Sequence, residues 1–181
     1  MDLKVRVTDI PVTGWDLSYD LTPEETEARL VNIEKDLIRF FTPVQVRLKL
    51  ERTGNRILVR GSISTGYLLT CSLCLEEFNI RMSEEVFSVF TPFPEEYIDG
   101  EIAAEDLNEE YYEGEEIDLW PLIREYLFLG MPIKPACRDN CKGLCPICGQ
   151  NLNKKRCDCS SQVGHPGFSK LKQLRDSLPK K

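Results

Sequence analysis

Cysteines are the residues of this chain whose type and spacing point most directly to chemistry. Six of the eight lie within the 23 residues from Cys137 to Cys159, and Cys71 and Cys74 form a separate C-x-x-C motif upstream. The N-terminus alternates charged and apolar residues where a secretory signal would need an apolar block. We therefore expect a cytoplasmic protein, in which clustered cysteines are metal ligands, with disulfides as the alternative.

The downstream cysteines have the spacing of a zinc site. The run Cys145-Pro-Ile-Cys148-Gly149 is typical of a zinc knuckle, because glycine permits the backbone turn that aims amides at the second sulfur. Cys157 and Cys159 follow after a short loop and complete a local set of four thiolates. Such a set is sufficient for one tetrahedral zinc ion.

Two further cysteines of the cluster, Cys137 and Cys141, are not needed by that local site. Since Cys71 and Cys74 are the remaining cysteines, a second four-thiolate site is predicted from these four residues. The resulting expectation is structural zinc, one or two ions per chain. It involves all eight cysteines as ligands: Cys71, Cys74, Cys137, Cys141, Cys145, Cys148, Cys157 and Cys159.

Catalytic uses of these cysteines are disfavoured by the same spacing. Iron–sulfur and haem-attachment motifs do not occur, and the single histidine, His165, follows the cluster instead of preceding it as in zinc deaminases. A thioredoxin-like pair would begin a helix, whereas Cys71 and Cys74 interrupt predicted strands. Four thiolates also close the zinc shell and leave no bound water to activate. The prediction is a protein that is not an enzyme and has no small-molecule substrate.

Charge is distributed unevenly along the chain. Residues 94–118 hold twelve acidic side chains and no Lys or Arg, whereas residues 134–181 hold eleven Lys or Arg and three Asp. The acidic run is interpreted as a solvated linker, with docking through Tyr97, Tyr111 and Tyr112 as the alternative. No stretch of 18 apolar residues occurs, so no membrane span is expected.

The basic C-terminal region is the most plausible surface for RNA or an acidic partner, even after four-thiolate zinc sites subtract charge. Phe168, Leu171, Leu174 and Leu178 form an apolar stripe that fits a docking helix or a solubilised terminal helix. The candidate RNA or partner-binding residues are Lys142, Lys154, Lys155, Arg156, Lys170, Lys172 and Arg175.

The elements that must position these residues follow from hydrophobic periodicity. Residues 3–7 alternate as a strand, and Thr22-Pro23 predicts the start of a covering helix over 22–41. Residues 44–90 alternate as a meander whose third turn carries the upstream C-x-x-C at a hairpin tip. A return helix starts after Asp118 and is predicted to pack inward, with a partner-binding face as the alternative.

Together these elements predict an α+β protein: a twisted antiparallel β-meander with a covering helix, a return helix and a zinc-binding C-terminal tail. The predicted regions are a meander body over residues 1–93, an acidic linker over 94–118, and a segment over 119–181. The last holds the return helix, the zinc region and a basic helix.

Several separate motifs resemble the YceD family, whose members are called large ribosomal RNA subunit accumulation proteins. They are TCSLCL at 70–75, IDLWPLIRE at 117–125, MPIKP at 131–135 and CKGLCPICG at 141–149. By this resemblance Cys71 and Cys74 are the upstream pair, and Cys141 to Cys148 the knuckle run. One departure is 165–167, His-Pro-Gly, where family tails often read Asp-Pro-Arg, which weakens an RNA role there.

The resemblance implies a factor for large-subunit ribosomal RNA accumulation and ribosome biogenesis that binds ribosomal RNA or a large-subunit assembly protein. Two alternatives remain open. One is a zinc-stabilised interaction adaptor for a basic partner, and the other is a redox-responsive zinc switch.

Overall fold

The computed structural model describes residues 3–31, 34–35, 38–93 and 109–159. These residues form mainly β-sheet with two α-helices, which agrees with the predicted α+β class. In chain order the elements are β1 (Lys4–Arg6), a 3₁₀ turn (Val7–Asp9), β2 (Trp15–Leu21), α1 (Pro23–Arg29), β3 (Arg39–Phe40), β4 (Val44–Thr53), β5 (Arg56–Thr70), β6 (Glu77–Pro92), β7 (Glu109–Tyr112), β8 (Glu116–Asp118) and α2 (Trp120–Leu129).

The predicted meander forms the centre of a six-stranded sheet with strand order β2-β4-β5-β6-β7, in which β3 pairs with β5 beyond the end of β4. Strands β4, β5 and β6 are antiparallel neighbours, and the alternation of buried and exposed residues along β4 places one face of the sheet in the core. The predicted meander is thus antiparallel, and the edge strand β7, which lies outside it in sequence, runs parallel to β6.

Helix α2 packs onto the buried face of this sheet. Leu122, Ile123 and Leu127 are buried, which confirms that the return helix packs inward. The helix begins where the Asp118 carboxylate accepts a hydrogen bond from the Trp120 N–H at 2.9 Å. Its C-terminal end is fixed by the fully buried Tyr67, whose hydroxyl donates to the Leu127 carbonyl oxygen at 2.7 Å. Because α2 ends beside the sheet, the chain that follows returns to the meander.

The predicted helix over 22–41 starts where expected but ends earlier. Thr22 and Glu25 form a capping box, and Pro23 occupies the first turn. Helix α1 nevertheless ends at Arg29, residues 34–35 are helical again, and Arg39–Phe40 is a strand. The backbone of Arg39–Phe40 completes the sheet against Leu68 and Tyr67, and this pairing outweighs the helical spacing of the side chains.

The predicted linker over 94–118 lies partly outside the described residues, since 94–108 are not among them. The described part, 109–118, is not an open linker, because it forms strands β7 and β8. Strand β8 pairs with β1 in a separate two-stranded sheet, so β1 does not open the main sheet. Ile117 is fully buried despite the acidic residues around it, and this burial holds the segment in place.

Candidate metal centre

The hairpin between β5 and β6 places Cys71 and Cys74 at its tip, as the sequence predicts. The Cys71 N–H donates to the Glu76 carbonyl at 2.9 Å, and the Leu75 N–H donates to the Cys71 carbonyl at 3.0 Å. This tight turn requires a φ of 57° at Leu75, a left-handed conformation that is unusual for leucine. Both thiols are thereby directed to the same side of the tip.

The first cysteine group consists of Cys71, Cys74, Cys137 and Cys141, whose sulfur atoms all lie within 4.8 Å of one another. Cys71 Sγ lies 3.9 Å from Cys141 Sγ, and Cys74 Sγ lies 3.8 Å from Cys137 Sγ. The segment after α2 reaches the tip because the Ser72 N–H donates to the Pro135 carbonyl at 2.8 Å. The predicted pairing of the upstream motif with the two left-over cysteines is present.

The second cysteine group consists of Cys145, Cys148, Cys157 and Cys159, and its sulfur atoms also lie within 4.8 Å of one another. Gly149 has a φ of 71°, so the expected role of glycine in this knuckle is met. Its N–H donates to the Cys145 carbonyl at 2.9 Å, which closes the turn. The groups differ in burial, since Cys71 and Cys74 are buried whereas Cys148 is exposed.

The electrostatics of each group favour a bound cation. The backbone N–H of Cys137 lowers the pKa of Cys71 to about 6, and the N–H of Cys148 lowers that of Cys145 to about 6. In contrast, burial raises the pKa of Cys137 to about 12, and the neighbouring Cys148 thiol raises that of Cys159 to about 12. Four thiolates this close repel one another, and a metal ion removes that repulsion. Each group therefore can hold a metal ion through four sulfur ligands.

The two groups are attached to each other by backbone hydrogen bonds. The Leu144 N–H donates to the Leu73 carbonyl at 3.0 Å, so the second knuckle rests on the hairpin tip. Gly143 permits this approach, because a Cβ at that position would lie 3.0 Å from the Leu73 carbonyl oxygen. The Leu152 N–H then donates to the Gly143 carbonyl at 2.9 Å. The hairpin tip and the tail thus form one packed unit.

The sequence analysis did not identify two residues of this unit. Glu76 accepts hydrogen bonds from Lys154 Nζ at 2.7 Å and from Asn151 Nδ2 at 3.3 Å. Asn153 contacts Cys141 through its side-chain amide. No spacing or composition signal marks either residue, because their importance comes only from contacts across the chain.

The predicted RNA or partner-binding residues lie in different surroundings. Lys142, Lys155 and Arg156 are exposed beside the cysteine groups, whereas Lys154 is engaged in the ion pair with Glu76. The lysine at 154 therefore contributes to the attachment of the tail. The other three predicted residues, Lys170, Lys172 and Arg175, lie outside the described residues, as do Phe168, Leu171, Leu174, Leu178 and His165.

The tyrosines proposed for docking also differ. Tyr111 is 51% exposed and contacts the Phe93 ring edge-to-face, with ring centroids 5.7 Å apart. The Tyr112 hydroxyl donates to the Asn55 carbonyl at 2.8 Å, which ties β7 to the β4–β5 turn. Tyr97 lies outside the described residues. Of the described pair, Tyr111 is thus the more accessible. Within the described ranges no helix is long and apolar enough to cross a membrane.

Comparison with known proteins gives one family. The family model described as "Large ribosomal RNA subunit accumulation protein YceD" matches residues 59–175. A protein of Arabidopsis thaliana called large ribosomal RNA subunit accumulation protein YCED homolog 1, chloroplastic, is 29% identical, over 91% of this chain and 59% of that protein. An uncharacterized protein of Mycobacterium tuberculosis is 29% identical, over 70% of this chain and 59% of that protein.

A Zea mays protein with the same name as the Arabidopsis relative is 29% identical, over 72% of this chain and 53% of that protein. The chain therefore spans between half and two thirds of the length of these curated relatives. No solved structure matches the chain.

Proposed function

The chain belongs to the YceD family of large ribosomal RNA subunit accumulation proteins, and from this membership we propose that it supports large-subunit ribosomal RNA accumulation during ribosome biogenesis. It acts in the cytoplasm as a binding factor and not as an enzyme. Its partner is ribosomal RNA or a large-subunit assembly protein, and it has no small-molecule substrate.

Zinc is the metal that the two cysteine groups suit best. Both sets contain only thiolates, which are soft ligands that favour zinc over magnesium or calcium. Four protein ligands leave no position for a substrate or a catalytic water, so the metal role is structural. All eight cysteines hold the ions, and these fix the tail against the hairpin tip.

Metal analysis of the purified protein tests this assignment. Two zinc ions per chain are expected. A single ion would contradict the use of both groups, and a metal-free protein with oxidised cysteines would support the disulfide alternative.

The observation that carries the binding proposal is that the first cysteine group joins a basic segment to the hairpin tip of the sheet, while the second group closes a loop within that segment. Lys142, Lys155 and Arg156 are exposed on this segment. A rigid surface places cations at fixed distances, which suits contacts with the phosphates of RNA. Lys154 stays a candidate for this role, because its side chain is 64% exposed although its Nζ lies 2.7 Å from Glu76 Oε1.

Binding to ribosomal RNA at several salt concentrations is the direct test. We expect affinity to fall steeply with salt, and the triple variant K142A/K155A/R156A to reduce the salt slope by about 2 to 3, since each phosphate contact contributes about 0.7 to 0.9. Lys49→Ala is the matched control, because it removes an exposed lysine that lies on the sheet. Its slope should match that of the unmodified protein.

Absence of binding to ribosomal RNA at low salt would contradict direct RNA contact. Retention of a purified, basic large-subunit protein under the same conditions would then favour the adaptor alternative. Loss of that retention in Tyr111→Ala would assign the contact to the exposed tyrosine of the acidic segment.

The exposure of Cys148 favours the redox-switch alternative as a second candidate function. Peroxide would oxidise two thiolates to one disulfide while being reduced to water, and the metal of the second group would be released. Reversible zinc release by mild peroxide is the expected behaviour of such a switch, and zinc retention under those conditions would exclude it.

A further inference from the structure

We propose that Asn153 couples the two cysteine groups, so that closure of the second group raises the metal affinity of the first. The inference rests on the zinc sites of the proposed function. It assigns a positioning role to a residue that is not a ligand.

Asn153 contacts Cys141 of the first group, and the residue that follows it, through the two ends of its side-chain amide. Its Nδ2 donates to Cys141 Sγ at 3.3 Å, and its Oδ1 accepts from the Lys142 N–H at 2.9 Å. The backbone N–H of Lys142 can only donate a hydrogen bond, so the amide atom that faces it is Oδ1. Nδ2 therefore faces the Cys141 sulfur. The amide thus recognises a ligand of the first group and the backbone next to it.

By position in the chain, however, Asn153 belongs to the second group. It lies between Cys148 and Cys157, in the loop that the second group closes. Asn151 Oδ1 accepts from both the N–H and the Nδ2 of Asn153, each at 3.0 Å, and orients the side chain. The Cys145 N–H donates to the Gln150 carbonyl at 2.8 Å, which ties this loop to the second knuckle.

These contacts give the coupling a physical cause. A hydrogen bond from an amide to a coordinating thiolate orients the ligand and spreads its negative charge, and loss of such a partner reduces metal affinity about 10- to 100-fold. When the second group is open, its loop loses two of the constraints that hold Asn153 in place, Cys157 and the turn at Cys145. The first group then loses its donor.

The difference in cysteine burial between the two groups determines which metal ion is lost first. Cys71 and Cys74 are buried, whereas Cys148 in the second group is exposed. A chelator therefore removes the second metal before the first. Coupling through Asn153 means that this first loss weakens the remaining site.

The experiment is a double-mutant cycle on the full chain, followed by cadmium NMR, in which each four-thiolate site gives its own resonance. The variants are N153A, C157S/C159S and the two combined. With the second group loaded, we expect N153A to weaken metal binding by the first group about 10- to 100-fold. Because such coupling is reciprocal, the second group should lose affinity by the same factor when the first is loaded, and keep its affinity when the first is empty. C157S/C159S should weaken the first group similarly, and the combined variant should be no weaker than either.

Two further measurements separate positioning from a general loss of structure. Asn153→Asp keeps the acceptor for the Lys142 N–H but removes the donor to Cys141, so it should lose at least as much affinity as N153A. In the unmodified protein, removal of the second metal by a chelator should shift the cadmium resonance of the first group. Asn79→Ala, an exposed change on β6, is the control and should shift neither resonance.

Unchanged first-group affinity in N153A, or strictly additive effects in the cycle, would overturn the coupling while leaving both metal sites in place. An unmodified chain that binds no metal would instead overturn the proposed zinc sites. The two failures are therefore distinguishable.

Discussion

The residues that follow the two C-x-x-C motifs adopt the same left-handed backbone conformation with different side chains. Leu75 has a φ of 57° and Gly149 a φ of 71°, so both occupy the left-handed region. Leucine pays a steric cost there that glycine avoids, and the Leu75 side chain is 64% exposed and contributes little packing. The upstream motif is therefore the more strained of the two.

Exchange of these residue types should change stability in opposite directions. Gly149→Ala is expected to lower the free energy of unfolding by about 1 kcal/mol, because a Cβ at Gly149 meets no other atom within 4 Å and only backbone strain is added. Leu75→Gly should raise the free energy of unfolding by at most about 1 kcal/mol, since glycine also gains freedom in the unfolded chain. Chemical denaturation of the metal-loaded protein measures both.

Leu73→Gly is the matched control, because Leu73 is half-exposed in the same motif and its φ is not positive. This change should destabilise the protein. Equal destabilisation by Leu75→Gly would show that the packing of Leu75 outweighs its strain.

A second residue-scale prediction concerns the ion pair of Glu34 and Arg124. Arg124 Nε donates to Glu34 Oε1 at 2.7 Å, and the Glu34 side chain is only 9% exposed. The hydrogen bond from Arg124 lowers the pKa of Glu34, so the ionised pair stabilises the fold above the carboxyl's unfolded pKa of about 4.3. Arg124→Ala should lower the denaturant midpoint at neutral pH. This difference should shrink as pH falls through the folded pKa of Glu34.

The exposed pair of Arg47 and Asp20 provides the comparison for that experiment. Arg47→Ala should change the midpoint less than Arg124→Ala, because solvent screens both of its charges. A midpoint difference for Arg124→Ala that persists at low pH would mean that packing of the arginine, and not its charge, stabilises the fold.

At the scale of elements, the contact between α2 and the sheet depends on one buried hydroxyl. Tyr67 on β5 is fully buried and donates to the Leu127 carbonyl near the end of α2. Tyr67→Phe should lower the free energy of unfolding by about 1 to 2 kcal/mol, because the carbonyl at the helix end loses its buried partner. Thermal and chemical denaturation would measure this change.

Tyr126→Phe is the control for the loss of a hydroxyl from the same interface. The Tyr126 hydroxyl accepts from the Phe87 N–H at 3.1 Å and donates to the Phe87 carbonyl at 3.0 Å, at an edge where water can replace it. Its removal should cost less than that of Tyr67. A larger effect at Tyr126 would mean that capping of the β6 edge matters more than the buried contact.

Periodicity and cysteine counting were sufficient for the elements defined by local pattern. The hairpin tip and the assignment of the eight cysteines to two groups are confirmed. The meander has one turn fewer than predicted, because β5 runs unbroken from Arg56 to Thr70 and the tip that carries Cys71 and Cys74 is the second turn. Elements defined by pairing across the chain were not predictable in this way. Arg39–Phe40 is a strand because β5 extends past β4 and offers it a partner, and 109–118 is ordered by pairing with β6 and β1.

The candidate site likewise contains residues that the sequence could predict and contacts that it could not. Ligand residues carry a spacing signal, so sequence reasoning found them. The contacts of Asn153 with Cys141 and of Lys154 with Glu76 join residues 12 and 78 positions apart. No local pattern encodes these contacts, and charge alone placed Lys154 with the RNA-binding candidates.

For the whole molecule, the sheet and the tail are stabilised by different means. The sheet and α2 enclose a continuous apolar core, whereas Cys145 is the one buried hydrophobic residue in the described part beyond Leu127. A segment without an apolar core needs cross-links or metals to stay folded. We therefore expect the tail, and not the sheet, to depend on metal ions held by the two cysteine groups.

Removal of metal should consequently release the tail and spare the sheet. With a strong zinc chelator and a reducing agent, we expect trypsin to cleave after Lys142, Lys155 and Arg156 much faster than in the metal-loaded protein, because cleavage requires local unfolding of the backbone. Amide hydrogen exchange should still show protection over β4, β5 and β6, and added zinc should restore resistance at the three sites.

Cys71→Ser should reproduce part of the effect without chelator, since it removes one ligand of the first group. Equal cleavage rates with and without metal would show that hydrogen bonds such as that from Leu144 to Leu73 hold the tail without zinc, whereas loss of protection over β4 to β6 would show that the sheet itself needs the metal.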